Sequence, residues 1–232
     1  MTAFEGFPQE TFDFLEGLTD NNSKIWFDRH RKEYQAHYMT PAKLFVEAMG
    51  ERLGAMDPHI SAVPQVNKSI FRINRDVRFS KDKTPYRNHI DLLFYEGTGR
   101  RSGSGFFFRL LSDRVILGAG IHQFDTNGLK KFRAAVVRDG EALRISGILE
   151  ALKNQGYEVG EAHYKTVPPG YGDRKDNDLL KYNSLHASCE TAVSDLSDLI
   201  RSADFSDWCA DHYERLQPLH RWLSDYVSEH TG

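Results

Sequence analysis

Apolar residues at helical spacing mark the N-terminal quarter of the chain. Pro8 stands at a first-turn position, and apolar side chains follow at positions 12, 15 and 18. A second helix is predicted over residues 24–38, where four ring side chains recur every fourth residue and share one face: Trp26, His30, Tyr34 and Tyr38. A helical stripe of this kind is far more often core packing than a stacking surface, so we interpret it as core.

Two more helices follow from the same periodicity. Pro41 opens a third helix, whose apolar stripe consists of Phe45, Met49 and Leu53. The C-terminal segment, residues 204–230, also has a helical pattern, and Pro218 is expected to kink or divide it.

The middle of the chain changes period. Residues 89–95, "HIDLLFY", predict a strand, and residues 106–122 predict a hairpin with a three-residue turn. Gly118 and Gly120 in its second strand indicate a bulge or a close backbone approach. Helical spacing returns after Asp125. Because strands and helices are segregated, we predict a single α+β domain over 1–232, with helices from both ends packed on a mainly antiparallel sheet.

Composition is that of an ordinary globular chain, with 40% hydrophobic and 27% charged residues. No apolar run approaches the ~20 residues of a membrane span, and the N-terminus lacks the basic and apolar regions of a secretory signal. The two cysteines, Cys189 and Cys209, have no pairing or ligand spacing. We therefore expect a cytosolic protein without a membrane partner, in which both cysteines fill apolar space.

Charge is unevenly distributed. The chain carries a formal net charge of −3, but residues 68–87 hold seven basic and two acidic residues, a net +5. The rest of the chain therefore carries −8. One basic segment in an acidic protein favours a local site for a small phosphorylated or carboxylated molecule, and it argues against a broad nucleic-acid surface.

Residues 71–79, "FRINRDVRF", are predicted to form a strand, because β-branched and aromatic residues are frequent there. Alternation places Phe71, Ile73, Arg75, Val77 and Phe79 on a core-like face and the polar residues on the other. Arg75 is the exception on the core face. Its guanidinium group keeps its charge and needs either an internal carboxylate or a bound anion.

The segment offers candidate site residues, each with a chemical role. Arginine binds phosphate or carboxylate through a fork, and lysine supplies a point charge, so the ligand-binding candidates are Arg72, Arg75, Arg78 and Lys83. The catalytic candidates are Asp76 or Asp82 as acid–base or orienting group, Lys83 as a base, and Tyr86 as a donor. A solvated ladder of charges on a sheet surface explains the same residues, and physical reasoning alone ranks it slightly ahead.

The same residues resemble the signature of an uncharacterised family found mostly in bacteria, domain of unknown function 2461. The signature is Arg-x-x-Arg-Asp-x-Arg-Phe, three residues, Asp or Asn, Lys, two residues, Tyr. Its places are held here by Arg72, Arg75, Asp76, Arg78, Phe79, Asp82, Lys83 and Tyr86. The resemblance covers most of the chain and implies that these residues act as a unit. It implies no activity, cofactor or substrate.

Other patterns are less informative. None of the ten histidines stands in a zinc-binding pattern, so no metal site is predicted, and His89 and His122 are the two that merit testing. Residues 97–105, "GTGRRSGSG", lack the spacing of a phosphate-binding loop. Two alternatives to the anion site stay open. One is nucleic-acid binding through residues 68–87 with Arg100 and Arg101, and the other is a structural ion network with the function in a protein partner interface.

Overall fold

A computed structural model of the protein describes residues 3–96, 103–171 and 177–227. It is an α+β structure with a six-stranded antiparallel sheet in the order β1-β2-β3-β4-β6-β5, as predicted. The strands are β1 (Ile60–Ser61), β2 (Ile90–Glu96), β3 (Gly105–Leu110), β4 (Arg114–Ile121), β5 (Glu158–Val159) and β6 (Leu185–Ala192). The strand over 89–95 and the hairpin over 106–122 are thereby confirmed.

Helices precede and follow the strands. They are α1 (Gln9–Asp20), α2 (Lys24–Arg29), α3 (Arg31–Glu33), α4 (Thr40–Met56), α5 (Thr126–Val136), α6 (Glu141–Asn154), α7 (Val193–Leu196) and α8 (Phe205–Tyr226). A π-helix covers Tyr34–Met39, and short 3-10 helices cover Asp178–Lys181 and Leu199–Arg201. Helix α8 continues through Pro218, so the C-terminal helix is not divided there, and the expected kink stays a prediction. None of the described helices is both long and apolar enough to cross a membrane.

The chain divides into two compact units of non-contiguous segments. The first unit comprises Met1–Phe94, Phe107–Leu117 and Glu190–Asp211, and the second comprises Tyr95–Phe106, Gly118–Cys189 and His212–Gly232. In the first unit, Phe45 of α4 lies 4.6 Å from Phe108 of β3 between ring centroids, and both are buried. The predicted stripe of α4 thus packs on the sheet, whereas Phe14 of α1 lies 6.1 Å from Tyr38 of the π-helix between ring centroids. The prediction of a single domain stays a prediction.

The predicted second helix is interrupted. Ser23 begins α2 by accepting a hydrogen bond from the backbone N–H of Trp26, and α2 ends at Arg29. His30 Nδ1 lies 2.8 Å from the carbonyl oxygen of Trp26, so a side chain competes for a helical acceptor at the break. The ring stripe survives, because Trp26 and His30 stack at 4.0 Å and Tyr38 is buried.

In the second unit, the C-terminal part of α8 packs on strand β3. Phe106 of β3 lies 5.0 Å from Tyr213 of α8 between ring centroids. Gly120 has φ +131°, and a Cβ added there would lie 2.3 Å from the carbonyl oxygen of Leu185 on β6. The close backbone approach that the sequence indicated at Gly118 and Gly120 is therefore found at Gly120.

The prediction of a strand over residues 71–79 is wrong. Asn74 pairs with Tyr86 in one isolated antiparallel bridge, and residues 75–85 form a wide loop between the two. Side chains there bind nearby backbone groups: Asp82 accepts from the N–H of Thr84 at 2.9 Å. Such local bonds compete with a strand ladder, and Pro85 has no N–H to donate to one. The signature residues lie on this loop, which we name the signature loop (residues 72–86).

Candidate functional site

Arg75 of the signature loop meets an internal carboxylate. Its Nη1 donates to Asp82 Oδ2, to the hydroxyl of Thr84 and, at 3.2 Å, to the carbonyl oxygen of Thr84. The N–H and hydroxyl groups of Thr84, together with Arg75, lower the pKa of Asp82 to about 2. At neutral pH this carboxylate is therefore an anion engaged on several sides, and it braces the loop across seven residues.

A second ion pair lies on the exposed side of the loop. Arg78 donates to both carboxylate oxygens of Asp76, at 2.9 and 2.7 Å. These bonds, with a smaller contribution from the nearby charge of Arg72, lower the pKa of Asp76 to about 2. Arg78 retains 76% side-chain exposure, and Arg72 is also exposed. Two arginines of the signature thus face solvent.

Lys83 and Tyr86 hold the C-terminal half of the loop. Lys83 Nζ donates to the carbonyl oxygen of Val77 at 2.9 Å, and this bond spans the loop. The Tyr86 ring stacks on Phe27 of α2 at 4.2 Å. Burial, followed by the negative charge of Asp28, raises the pKa of Tyr86, so its phenol group remains protonated at neutral pH. Both side chains have contacts that fix the loop in place.

Phe79 departs from the predicted alternation. Ile73 is buried, and Arg75 and Val77 are partly buried, as expected for the inner face, but Phe79 is 95% exposed. The guanidinium carbon of Arg78 lies 5.7 Å from its ring centroid. The core position that the sequence predicted for Phe79 is wrong, because the loop turns there instead of continuing as a strand.

Four side chains beside the signature loop form an ion cluster around Asp91, which we name the Asp91 cluster: Arg87, His89, Asp91 and Arg109. Arg109 Nε donates to Asp91 Oδ1 at 2.6 Å, and Arg87 Nη1 donates to Oδ2 at 3.0 Å. His89 Nε2 lies 3.1 Å from the same Oδ2. Three basic side chains therefore share one carboxylate.

Backbone hydrogen bonds hold the Asp91 cluster on one side, and its arginines are partly exposed to solvent. The backbone N–H of Phe71 donates to the Asp91 carbonyl, and the Tyr38 hydroxyl donates to the His89 carbonyl at 2.9 Å. Asp91 is only 10% exposed, but Arg109 keeps 42% side-chain exposure. Burial alone would raise the pKa of Asp91, yet the hydrogen bonds and charges of His89 and Arg109 outweigh it and lower the pKa.

Sequence reasoning singled out His89 but missed its three neighbours. The signal was present: Asp91 is the only charged residue in "HIDLLFY", and Arg109 is the only one in "FFFRLL". A charged residue inside an apolar strand needs a partner of opposite charge. Because both segments were predicted to be strands, the two could have been matched across neighbouring strands β2 and β3.

Other histidine contacts lie in the second unit. The rings of His122 and His186 lie 5.5 Å apart, and burial, with the neighbouring His122, lowers the pKa of His186. His212 Nδ1 lies 2.7 Å from the Tyr157 hydroxyl and 3.5 Å from Cys189 Sγ. Burial raises the pKa of Cys189 to about 11, so its thiol stays protonated and is a weak nucleophile. Cys209 is fully buried, as expected of a residue that fills apolar space.

Ser104, His220 and Glu96 lie together in the second unit. The Ser104 hydroxyl is 3.0 Å from His220 Nδ1, and His220 Nε2 is 3.2 Å from Glu96 Oε1. The residue types are those of a hydrolase triad, but Ser104 and His220 are completely buried. A substrate cannot reach this serine, so we interpret the group as a buried polar network.

The nucleic-acid alternative also named Arg100 and Arg101, which lie outside the described residues.

The chain belongs to the family described as "Conserved hypothetical protein (DUF2461)", whose model matches residues 10–222. This confirms the family that the signature segment indicated. A search of curated proteins found no match. Family membership names no substrate or reaction, so the function has to be argued from the residues.

Proposed function

We propose that the protein binds a small phosphorylated or carboxylated molecule at the Asp91 cluster, next to the signature loop. One observation carries this proposal: a single carboxylate is shared by Arg87, Arg109 and His89. Two permanent positive charges therefore face one negative charge. The excess is fixed in position before any ligand arrives.

The geometry suits an anion for two reasons. Asp91 uses one edge of each guanidinium group, and Arg109 and Arg87 keep 42% and 32% side-chain exposure for a second acceptor. Arginine presents five N–H donors in a planar fork, so one guanidinium group serves a carboxylate and a ligand together. Because Asp91 already orients both guanidinium groups, the two arginine side chains would lose little conformational entropy when an anion binds.

Within this proposal the signature loop has two parts. Arg72 and Arg78 face solvent, and Arg72 adds positive charge for the ligand while Arg78, whose charge is paired with Asp76, adds less. Arg75 and Lys83 hold the loop itself. Asp76 and Asp82, with pKa values of about 2, are weak bases at neutral pH. This chemistry supports binding over acid–base catalysis, and catalytic roles for Asp76, Asp82, Lys83 and Tyr86 stay predictions. The proposal also keeps the expected cytosolic location, which the free thiols of both cysteines support.

The test is a thermal-shift screen of inorganic phosphate, phosphorylated metabolites, nucleotides and dicarboxylates, followed by calorimetric titration of each hit. We expect Arg109→Gln to weaken binding by roughly 10- to 100-fold, since one charge-assisted hydrogen bond is worth about 1.5–3 kcal/mol. Arg78→Gln should weaken binding less, because its charge is already paired with Asp76.

Arg114→Gln is the matched control. Arg114 has the same 42% side-chain exposure as Arg109 and lies on the next strand, but it is shared by two carboxylates, Asp113 and Glu190. Its removal should leave affinity unchanged. The proposal fails if no compound in the screen stabilises the protein. It also fails if Arg109→Gln and Arg114→Gln lose affinity for the ligand equally.

A further inference from the structure

The tip of the signature loop presents one apolar ring on a braced support. Phe79 is 95% exposed, and the turn beneath it is closed by the Ser80 N–H, 3.4 Å from the Val77 carbonyl. Lys83 binds that same carbonyl at 2.9 Å, and Arg75 joins the two sides of the loop through Asp82. Several hydrogen bonds thus order this loop, although the ring at its tip is exposed to water.

Such an arrangement is well suited to an interface. An aromatic ring on an already ordered loop can be buried by a partner without a further ordering cost. Its surroundings are cationic, because Arg72, Arg78 and Lys81 are all exposed near the tip in sequence. The complementary surface therefore needs an apolar contact beside carboxylates.

A surface of that chemistry exists on the chain itself. In the second unit, α6 and the 3-10 helix Asp178–Lys181 line an open groove of about 1020 Å³. Leu149 and Leu179 lie in it, and Leu143 of α6 stands at its edge with 81% exposure. Two carboxylates, Glu150 and Asp178, line the groove together with Lys153, and Lys181 donates to Asp178 at 2.6 Å. The carboxylates therefore share the groove with two ammonium groups, and charge complementarity comes from the chain as a whole.

We propose that Phe79 of one copy docks into this groove of a second copy, and that the second copy returns the contact. Charge favours this occupant, because residues 68–87 carry +5 while the rest of the same chain carries −8. Two reciprocal contacts related by a twofold axis close the assembly as a dimer, whereas a single head-to-tail contact would build a larger ring or an open fibre.

Single-stranded nucleic acid is the competing partner for a basic loop with an exposed ring. Proteins that bind it stack successive bases on successive aromatic side chains. Among the described residues of 68–87, Phe79 is the exposed aromatic, while Tyr86 is buried under Phe27. One ring supplies one stacking position, so the observations favour the dimer.

The experiment is sedimentation velocity of the full chain over a wide concentration range, at low and high salt. We expect a monomer–dimer equilibrium that weakens as salt rises. Phe79→Ser and Leu143→Ser should each weaken dimerisation by at least about tenfold, as loss of a central apolar anchor does. Ile25→Ser is the matched control, because Ile25 is an exposed apolar side chain, at 69%, outside both surfaces.

A charge reversal sharpens the test. Lys81→Glu should weaken the dimer, and adding Glu150→Lys should restore it, which a nonspecific association would not do. A monomer at every concentration, or a dimer that Phe79→Ser leaves unchanged, overturns the proposal. Phe79-dependent binding of a labelled single-stranded oligonucleotide by a monomer also overturns it. Phosphate titration of Phe79→Ser should match the native chain, so this result and the anion proposal are judged separately.

Discussion

Asp91 organises the site because of its place in the chain. It is the second residue of β2, so its side chain meets Arg109 on the neighbouring strand β3. Arg87 and His89 precede the strand and turn back onto the same carboxylate. Because Asp91 stands at the start of a strand, two residues that precede the strand in sequence and one residue of the neighbouring strand reach the same carboxylate.

Replacing Asp91 by Asn should destabilise the protein by about 2–3 kcal/mol at neutral pH, because Arg87 and Arg109 lose their shared counterion while partly exposed. The pKa of Asp91 is lowered in the folded state. Its contribution is therefore full above the unfolded pKa of about 3.9 and is lost as pH falls through the folded pKa. Urea unfolding of native and variant chains should thus differ at pH 7, and the difference should begin to shrink only below the unfolded pKa of about 3.9 and vanish below the folded pKa.

Asp113→Asn is the control for that experiment. Asp113 also pairs with an arginine, Arg114, but its side chain is 62% exposed against 10% for Asp91. Solvent screens such a pair, so its loss should cost well under 1 kcal/mol. Equal losses for the two variants would contradict a special role for Asp91.

At the scale of elements, the sequence was most informative where one signal dominated. Helices α1 and α4 follow from apolar stripes that begin beside Pro8 and Pro41, and strand β2 from an apolar run. The segment 71–79 was misleading because exposure does alternate from Phe71 to Val77. In place of strand hydrogen bonds, however, Asp76, Asp82 and Lys83 bond to nearby backbone groups. Alternating exposure reports which way side chains point, and it does not require a partner strand.

The Asp91 cluster was harder to predict for a different reason. Its four members lie in two sequence regions, residues 87–91 and residue 109, and only the pairing of β2 with β3 brings them together. A single sequence gives strand propensity but not strand register. The exposure of Phe79 was missed for another reason. The alternation of apolar and polar residues in the sequence continues to Phe79, but the chain turns before that residue, so its ring does not reach the core.

Gly120 gives a prediction at this scale. Its φ of +131° and the 2.3 Å gap to the Leu185 carbonyl leave no room for a Cβ, so Gly120→Ala should destabilise the protein by at least about 2 kcal/mol. Gly147 in the middle of α6 has open space around it, and Gly147→Ala should stabilise by about 0.5–1 kcal/mol. Chemical denaturation of both variants checks the opposite signs.

At the scale of the whole molecule, the two compact units bear on the predicted single domain. Every boundary between them falls inside a secondary-structure element: β2, β3, β4, β6 and α8 each contain one. Domain boundaries normally fall in exposed linkers where few hydrogen bonds cross. Unfolding one unit alone would have to break strands and a helix in mid-course.

We therefore expect one cooperative unfolding transition. Native-state hydrogen exchange in increasing urea should bring the slowest amides of α4, in the first unit, and of α6, in the second, to the same opening free energy. No substitution is needed, so both units report on the same molecule. If α6 exchanged through an opening several kcal/mol below that of α4, the chain would behave as two domains despite its continuous strands.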